Sequence, residues 1–258
     1  MTVRSLRNPL AIAGLVALLV GACSGSATPV PPIAAPSGAA APSTAPPPSA
    51  AAVASPSLAA SAAASAAAST GAGATGCPTA APAPMSAADT ATVTLATAKG
   101  DIVIKVTGSM APQATGNFVA LAACGFYDGV VFHRLVPGFV IQGGDGQFGR
   151  APNVDTTQVG NGGPGYTIAD DPVTTPYKRG TVAMARTSQP HSQGSQFFIV
   201  LSDGAAPALA SANTYAIMGE VTSGMDVVDA IAAMPNSGEP ANAALDPLPI
   251  TKATVARP

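Results

Sequence analysis

The chain has 258 residues and a formal net charge of -2. Only 9% of its residues are charged, against about 25% in an average soluble domain. This near-neutral balance supplies no basic footprint for nucleic acid, so that class of partner is excluded at once.

The deficit of charge is concentrated in the first third. After Arg7 the next charged residue is Asp89, and the first aromatic is Phe118. Arg4 and Arg7 form a positive N-terminal region, and the apolar run from Leu10 to Val20 is shorter than the ~20 residues of a membrane span. Val20-Gly21-Ala22-Cys23 follows, with small residues at the cleavage point expected of an export signal. A Cys directly after them resembles a bacterial lipobox. That resemblance implies a signal peptide over 1–22, lipidation of Cys23, and an extracytoplasmic protein held to the membrane by lipid alone. The alternative is an ordinary signal peptide with an incidental Cys.

From 24 to 88 the sequence is almost wholly Ala, Pro, Ser, Thr and Gly. It lacks the apolar bulk to build a core and reads as a disordered linker. At ~5–6 Å × √n, some sixty residues reach roughly 45 Å. The expected folded domain is 89–258. Cys77 and Cys124 are left as a candidate disulfide pair in an exported setting. In the other reading Cys124 packs as a small hydrophobe and Cys77 is free.

Two β-branched runs, Thr92–Leu95 and Ile102–Val106, flank a Gly-containing turn and predict a hairpin. Pro112 to Cys124 predicts a helix, with Pro in its first turn and Gly125 at its stop. Short apolar runs follow at 130–132, 139–142, 181–185, 197–201, 215–221 and 250–255, separated by Gly- and Pro-rich loops. Many short strands predict an antiparallel barrel or a sandwich. A second helix is expected over 224–233, where Met225, Val228, Ile231 and Ala232 keep helical spacing.

Gly160-Asn161-Gly162-Gly163-Pro164-Gly165 matches G-x-G-x-x-G, but Pro164 and the extended residues after it argue against the helix a dinucleotide site needs. Ser195 lacks a G-x-S-x-G elbow, and the His and Cys spacings fit no zinc pattern. Neither metal nor cofactor is implied. What remains is Arg134, Gln142 and Gln196 among apolar and aromatic residues. A guanidinium cannot act as a base, but it donates several hydrogen bonds in a fixed fork. Such an inventory suits a reaction without a covalent intermediate, such as rotation about an X–Pro amide. As that bond twists, its nitrogen regains a lone pair, and a donor aimed there binds the twisted state selectively.

Two segments carry a resemblance. Phe132-His133-Arg134-Leu135-Val136-Pro137-Gly138-Phe139-Val140-Ile141-Gln142-Gly143-Gly144-Asp145 resembles the signature of the cyclophilin family of peptidyl-prolyl isomerases. Gly194-Ser195-Gln196-Phe197-Phe198-Ile199 resembles its second signature, with Met184-Ala185-Arg186 between them like the family's substrate-binding strand. The resemblance runs from about Thr90 to Val255. It implies a mainly β fold: a closed eight-stranded antiparallel barrel capped by two α-helices. It implies that Arg134 is catalytic and that Gln142 orients it. Phe139, Val140, Phe198 and Leu209 match the proline-pocket walls, and Gln196 matches an amide that binds substrate backbone. Ala185 and Arg186 match positions that pair with the peptide, and His133 and Tyr215 lie beside the pocket. No Trp is present and Ala208 stands where many members carry an aromatic, which implies weak cyclosporin binding. The irregular stretch from Arg150 to Gly162 yields no site residue.

The expected activity is therefore X–Pro isomerisation in exported, proline-containing polypeptides by a monomer that needs no cofactor. The competing reading is a membrane-tethered binding module or holdase that recognises proline segments without turnover.

Overall fold

A computed structural model describes residues 76–258. The expected signal peptide, the expected lipidation at Cys23 and the expected linker up to residue 75 fall outside the described residues. Eight strands close into a barrel in the order β1-β2-β7-β5-β6-β4-β3-β8, every neighbouring pair antiparallel. Closure settles the choice that strand patterning left open between barrel and sandwich, and it removes every exposed edge.

The hairpin forms as expected. β1 (Thr90–Thr97) and β2 (Gly100–Thr107) pair from Thr90↔Thr107 to Thr97↔Gly100. Val93, Leu95, Ile102, Ile104 and Val106 face inward at strand period, and no solvent reaches them. β3 (Val131–Val136) and β4 (Val140–Gly143) form a second hairpin. β5 (Thr181–Met184) and β6 (Phe197–Val200) are buried at every position. Their inner residues join the barrel core, while Ala183, Phe198 and Val200 join a second apolar cluster on the outer wall. This double burial explains their continuous apolar runs. β7 (Ile217–Ser223) and the long β8 (Ala243–Ala256) complete the barrel.

α1 (Pro112–Ala123) and α3 (Met225–Ala232) are the two expected helices. A third, α2 (Ala206–Ala212), is an addition to the expected pair. Its sequence APALASA has one large apolar residue, Leu209, and so no periodic stripe to read. Leu209 is buried against the outer cluster. Within the barrel, Phe118 of α1, Tyr127 and Phe132 surround Phe197, with ring centroids 5.3–6.1 Å from it. No helix among the described residues is long and apolar enough to cross a membrane.

The boundary expected at residue 88 moves. Residues 77–88, linker by composition, are strapped onto α1. Cys77 is joined to Cys124 at the end of that helix, with Cα atoms 5.2 Å apart. Met85 is 8% exposed and packs into the core, and its backbone N–H donates to Pro112 O at 2.9 Å. One buried Met and a crosslink order a segment whose composition carries no sign of it. Gly116 makes the approach feasible: a Cβ there would lie 2.6 Å from Ala83 O and 2.8 Å from Met85 N.

Ala is the better helix former by about 1 kcal/mol, so propensity alone makes Gly116→Ala stabilising. The backbone of the strap makes it destabilising instead, by about 1–3 kcal/mol as for other overpacked sites. Urea unfolding of wild type and variant measures the sign.

Candidate active site

The site begins with a break in the register of β3. Phe132 pairs with Gly143 and Arg134 with Gln142, so two steps along β3 match one along β4. His133 is the extra residue of a β-bulge. In an unbroken strand Phe132 and Arg134 would share a face. The bulge sends Phe132 and Leu135 into the barrel core and leaves Arg134 on the outer wall. That answers how a guanidinium fits among Val, Phe and Leu: it does not enter the core they build.

From Arg134 a row of cross-strand partners runs along the wall. Arg134 faces Gln142, Gln142 faces Phe198, and Phe198 faces Ala183. Val136, Val140 and Val200 form the next row. A cleft of about 280 Å³ opens over these rows. Arg134, Gln142, Val140 and Phe198 line it from β3, β4 and β6, and Phe139 from the turn between β3 and β4. Ala208 and Leu209 line it from α2, with Tyr215 just beyond that helix and Ala185 and Arg186 just beyond β5. Tyr215 meets Phe198 edge to face at 5.4 Å. Its backbone is held by the Tyr177 hydroxyl, which donates to Tyr215 O at 3.0 Å and accepts from Tyr215 N at 3.2 Å. Burial raises the pKa of Tyr177, which keeps that hydroxyl protonated.

Among the described residues, no carboxylate lies within ion-pair distance of Arg134. Its Nη1 instead donates to Gln142 Oε1 in a long contact of 3.5 Å. Gln142 Nε2 donates to Gln196 Oε1 at 3.0 Å, and Gln196 Nε2 donates to the carbonyls of Gly160 and Gly162, both at 2.8 Å. Gln196 lies in an adjoining cleft of about 400 Å³, which shares Gln142, Ala185 and Arg186 with the first. The glycine-rich loop at 160–165 lines this second cleft.

The cleft does not gather every residue expected in it. Met184 is fully buried in the barrel core, because strand alternation turns it opposite to Ala183 and Ala185. His133 is 5% exposed and sits behind the wall, facing the 145–160 loop. Arg186 lines the cleft, yet its guanidinium is engaged elsewhere. It pairs with Asp170 at 2.9 Å and donates to the carbonyls of Thr187 and Gln189. Asp170 also accepts from His191 N and from Gln193 Nε2, which ties the loop after β5 together. Asp170 and Tyr177 lie in irregular segments without a motif, so only the folded chain reveals their parts. Among the described residues, no cluster of three or more His, Cys, Asp and Glu could hold a metal ion.

Neither ring nitrogen of His133 has a hydrogen-bond partner. Burial lowers its pKa to about 4, with nearby Asp145 opposing the shift and Arg134 adding to it. The unfolded chain therefore takes up a proton near pH 6.5 that the folded chain refuses until about pH 4. The neutral ring's contribution is complete above pH 6.5 and is lost as pH falls toward 4. A shift of this size corresponds to something on the order of 3 kcal/mol. Unfolding free energies at pH 7.5, 5.5 and 4.5 are expected to fall more steeply for wild type than for His133→Leu; equal slopes would contradict the assignment.

Comparison with known proteins fits this geometry. Residues 92–255 match the family model described as "Cyclophilin type peptidyl-prolyl cis-trans isomerase/CLD". A probable peptidyl-prolyl cis-trans isomerase of Brucella abortus is 40% identical over 167 residues, covering 64% of this chain and 82% of that one. A probable peptidyl-prolyl cis-trans isomerase A of Mycobacterium bovis is 40% identical over 185 residues, covering 64% and 92%. A crystal structure of a Cryptosporidium parvum cyclophilin-type isomerase superposes with a TM-score of 0.55 at 29% identity, covering 65% of this chain and 98% of that one. Another, determined in the presence of the dipeptide Ala-Pro, gives 0.54 at 30% identity, covering 64% and 98%. With the closed barrel, and with the family model matched over residues 92–255, this chain belongs to the cyclophilin-type peptidyl-prolyl cis-trans isomerases.

Proposed function

We propose that this isomerase turns X–Pro bonds in exported polypeptides, by positioning and hydrogen bonding alone. The observation that carries the reading is a guanidinium with no carboxylate partner among the described residues, placed in a cleft of about 280 Å³ that Phe139, Val140, Phe198 and Leu209 also line. The proline ring packs against Phe198, Val140 and Leu209. An X–Pro amide resists rotation by roughly 18–20 kcal/mol because twisting destroys its resonance. In the twisted state the nitrogen is pyramidal and its lone pair accepts a hydrogen bond. Arg134 donates there, while the planar amide offers that donor little. Gln142 fixes the guanidinium plane, and Gln196 takes the backbone of the segment before proline. No bond to the protein forms, so no nucleophile or cofactor enters the scheme.

The Ala-Pro dipeptide used with the Cryptosporidium relative supports small residues before proline as acceptable. Residues 1–23 support export, lipid anchoring at Cys23 and, with them, clients outside the cytoplasm. Mass analysis of the mature N-terminus tests this: an acylated Cys23 is expected, and a start at any other residue would overturn the anchor.

Added to a protein whose refolding is limited by proline isomerisation, the chain is expected to accelerate the slow phase. Arg134→Ala is expected to lower that acceleration by about 10²-fold, as for loss of one donor aimed at a transition state. Retained peptide binding without acceleration in wild type would identify a binding module instead. Cyclosporin is expected to inhibit weakly, because Ala208 offers a methyl group at the rim of the cleft. Introducing an aromatic with Ala208→Trp is expected to tighten inhibition at least tenfold while changing turnover much less.

A further inference from the structure

The isomerase reading leaves a fully buried carboxylate unused at the far end of the polar thread from Arg134. Asp145 ends the first signature segment. No solvent reaches it, and it forms no ion pair among the described residues. Its carboxylate accepts four backbone N–H groups. Oδ1 takes Gln147 N at 3.0 Å and Phe148 N at 2.9 Å, while Oδ2 takes Gly160 N at 2.8 Å and Gly162 N at 2.9 Å. The last two belong to the same residues whose carbonyls receive Gln196 Nε2.

We infer that Asp145 is a positioning residue for Arg134, acting through the 160–162 loop, Gln196 and Gln142. This rests on the reading of Arg134 as the catalytic donor. A side-chain amide has a donor end and an acceptor end, and either orientation fits the same space. Something must choose. Asp145 is acceptor-only, so it fixes the N–H groups of Gly160 and Gly162 toward itself and holds that loop in place. The two carbonyls then face Gln196 and demand its NH₂. Its oxygen is thereby left for Gln142 NH₂, and the Gln142 oxygen is left for the guanidinium. Reversing Gln142 would set its NH₂ against the guanidinium, and reversing Gln196 would set its NH₂ against that of Gln142 and its oxygen against two carbonyls. The sense of the whole thread is thus set by one carboxylate that never touches substrate. Gly162 makes room for it, since a Cβ at that position would collide with Asp145 Oδ1.

The test uses the full chain with Asp145→Asn. Asn presents one acceptor and one donor to four N–H groups, so half of the cradle is lost. The expected result is a fall in kcat of tenfold or more with KM changed less than twofold. The Nε–Hε NMR signal of Arg134 is expected to shift and broaden, a readout that needs no turnover. In a Gln196→Ala background, Asp145→Asn is expected to cost little further, because the link is already cut. Should Asp145→Asn not fold, Gly162→Ala displaces the same loop while keeping the charge, and the same losses are expected. An unchanged kcat with an unchanged Arg134 signal would overturn the inference and leave the isomerase reading intact. So would losses that add fully to those of Gln196→Ala. A wild-type chain without isomerase activity would sink the isomerase reading instead, and the Arg134 signal would still report whether Asp145 governs its setting.

Discussion

One extra residue in a strand governs this molecule. The bulge at His133 turns Arg134 out of the barrel while Phe132 and Leu135 stay in it. Remove it and strand alternation drives a guanidinium toward the core, where an unpaired charge is prohibitively expensive. With it, Arg134 lands opposite Gln142 and in one row with Phe198 and Ala183. The residue left at the bulge needs to fit a buried corner without charge, and the neutral imidazole of His133 does so at pH 7.

The wall that receives Arg134 is stiff because it is buried twice. β5 and β6 give one face to the barrel core and the other to the cluster under α2 and Tyr177. A surface groove is thereby made from strand rather than loop, and its side chains stand where the register puts them. Close packing on both sides resists the small displacements that aimed hydrogen bonds do not tolerate. α2 contributes little sequence bulk, yet Leu209 closes the cleft and the chain beyond it delivers Tyr215.

Two arginines reach this wall and the structure treats them oppositely. Arg186 is neutralised by Asp170 and spends its remaining donors on backbone carbonyls, so it stiffens a loop. Among the described residues the Arg134 guanidinium meets only the neutral oxygen of Gln142, so its donors stay available. A carboxylate beside Arg134 would hold it more firmly and would also occupy the fork. A chain of amides directs it without quenching it, and the carboxylate that orients those amides is kept one loop away at Asp145.

The family, the helices α1 and α3 and the β1–β2 hairpin are legible in the sequence because they rest on local chemistry: strand alternation, Pro and Gly punctuation, and two motif segments. Arg134, Gln142, Phe139, Val140 and Phe198 are legible for the same reason, as residues within those motifs, and Leu209 through the family resemblance alone. The sequence by itself also determined that nothing before Asp89 carries charge beyond Arg7. What only the folded chain decided is nonlocal. Barrel closure is a property of eight pairings at once. The strap at 77–88 depends on a crosslink and on the space left by Gly116, and α2 on a single Leu finding a hydrophobic wall. Met184 and His133 share their motifs with cleft residues, yet strand alternation and the bulge turn them away. Asp145 reaches Gly160 and Gly162, and Tyr177 reaches Tyr215, through backbone groups that carry no residue identity for a motif to record, while Asp170 meets the Arg186 and Gln193 side chains only once the loops are folded together.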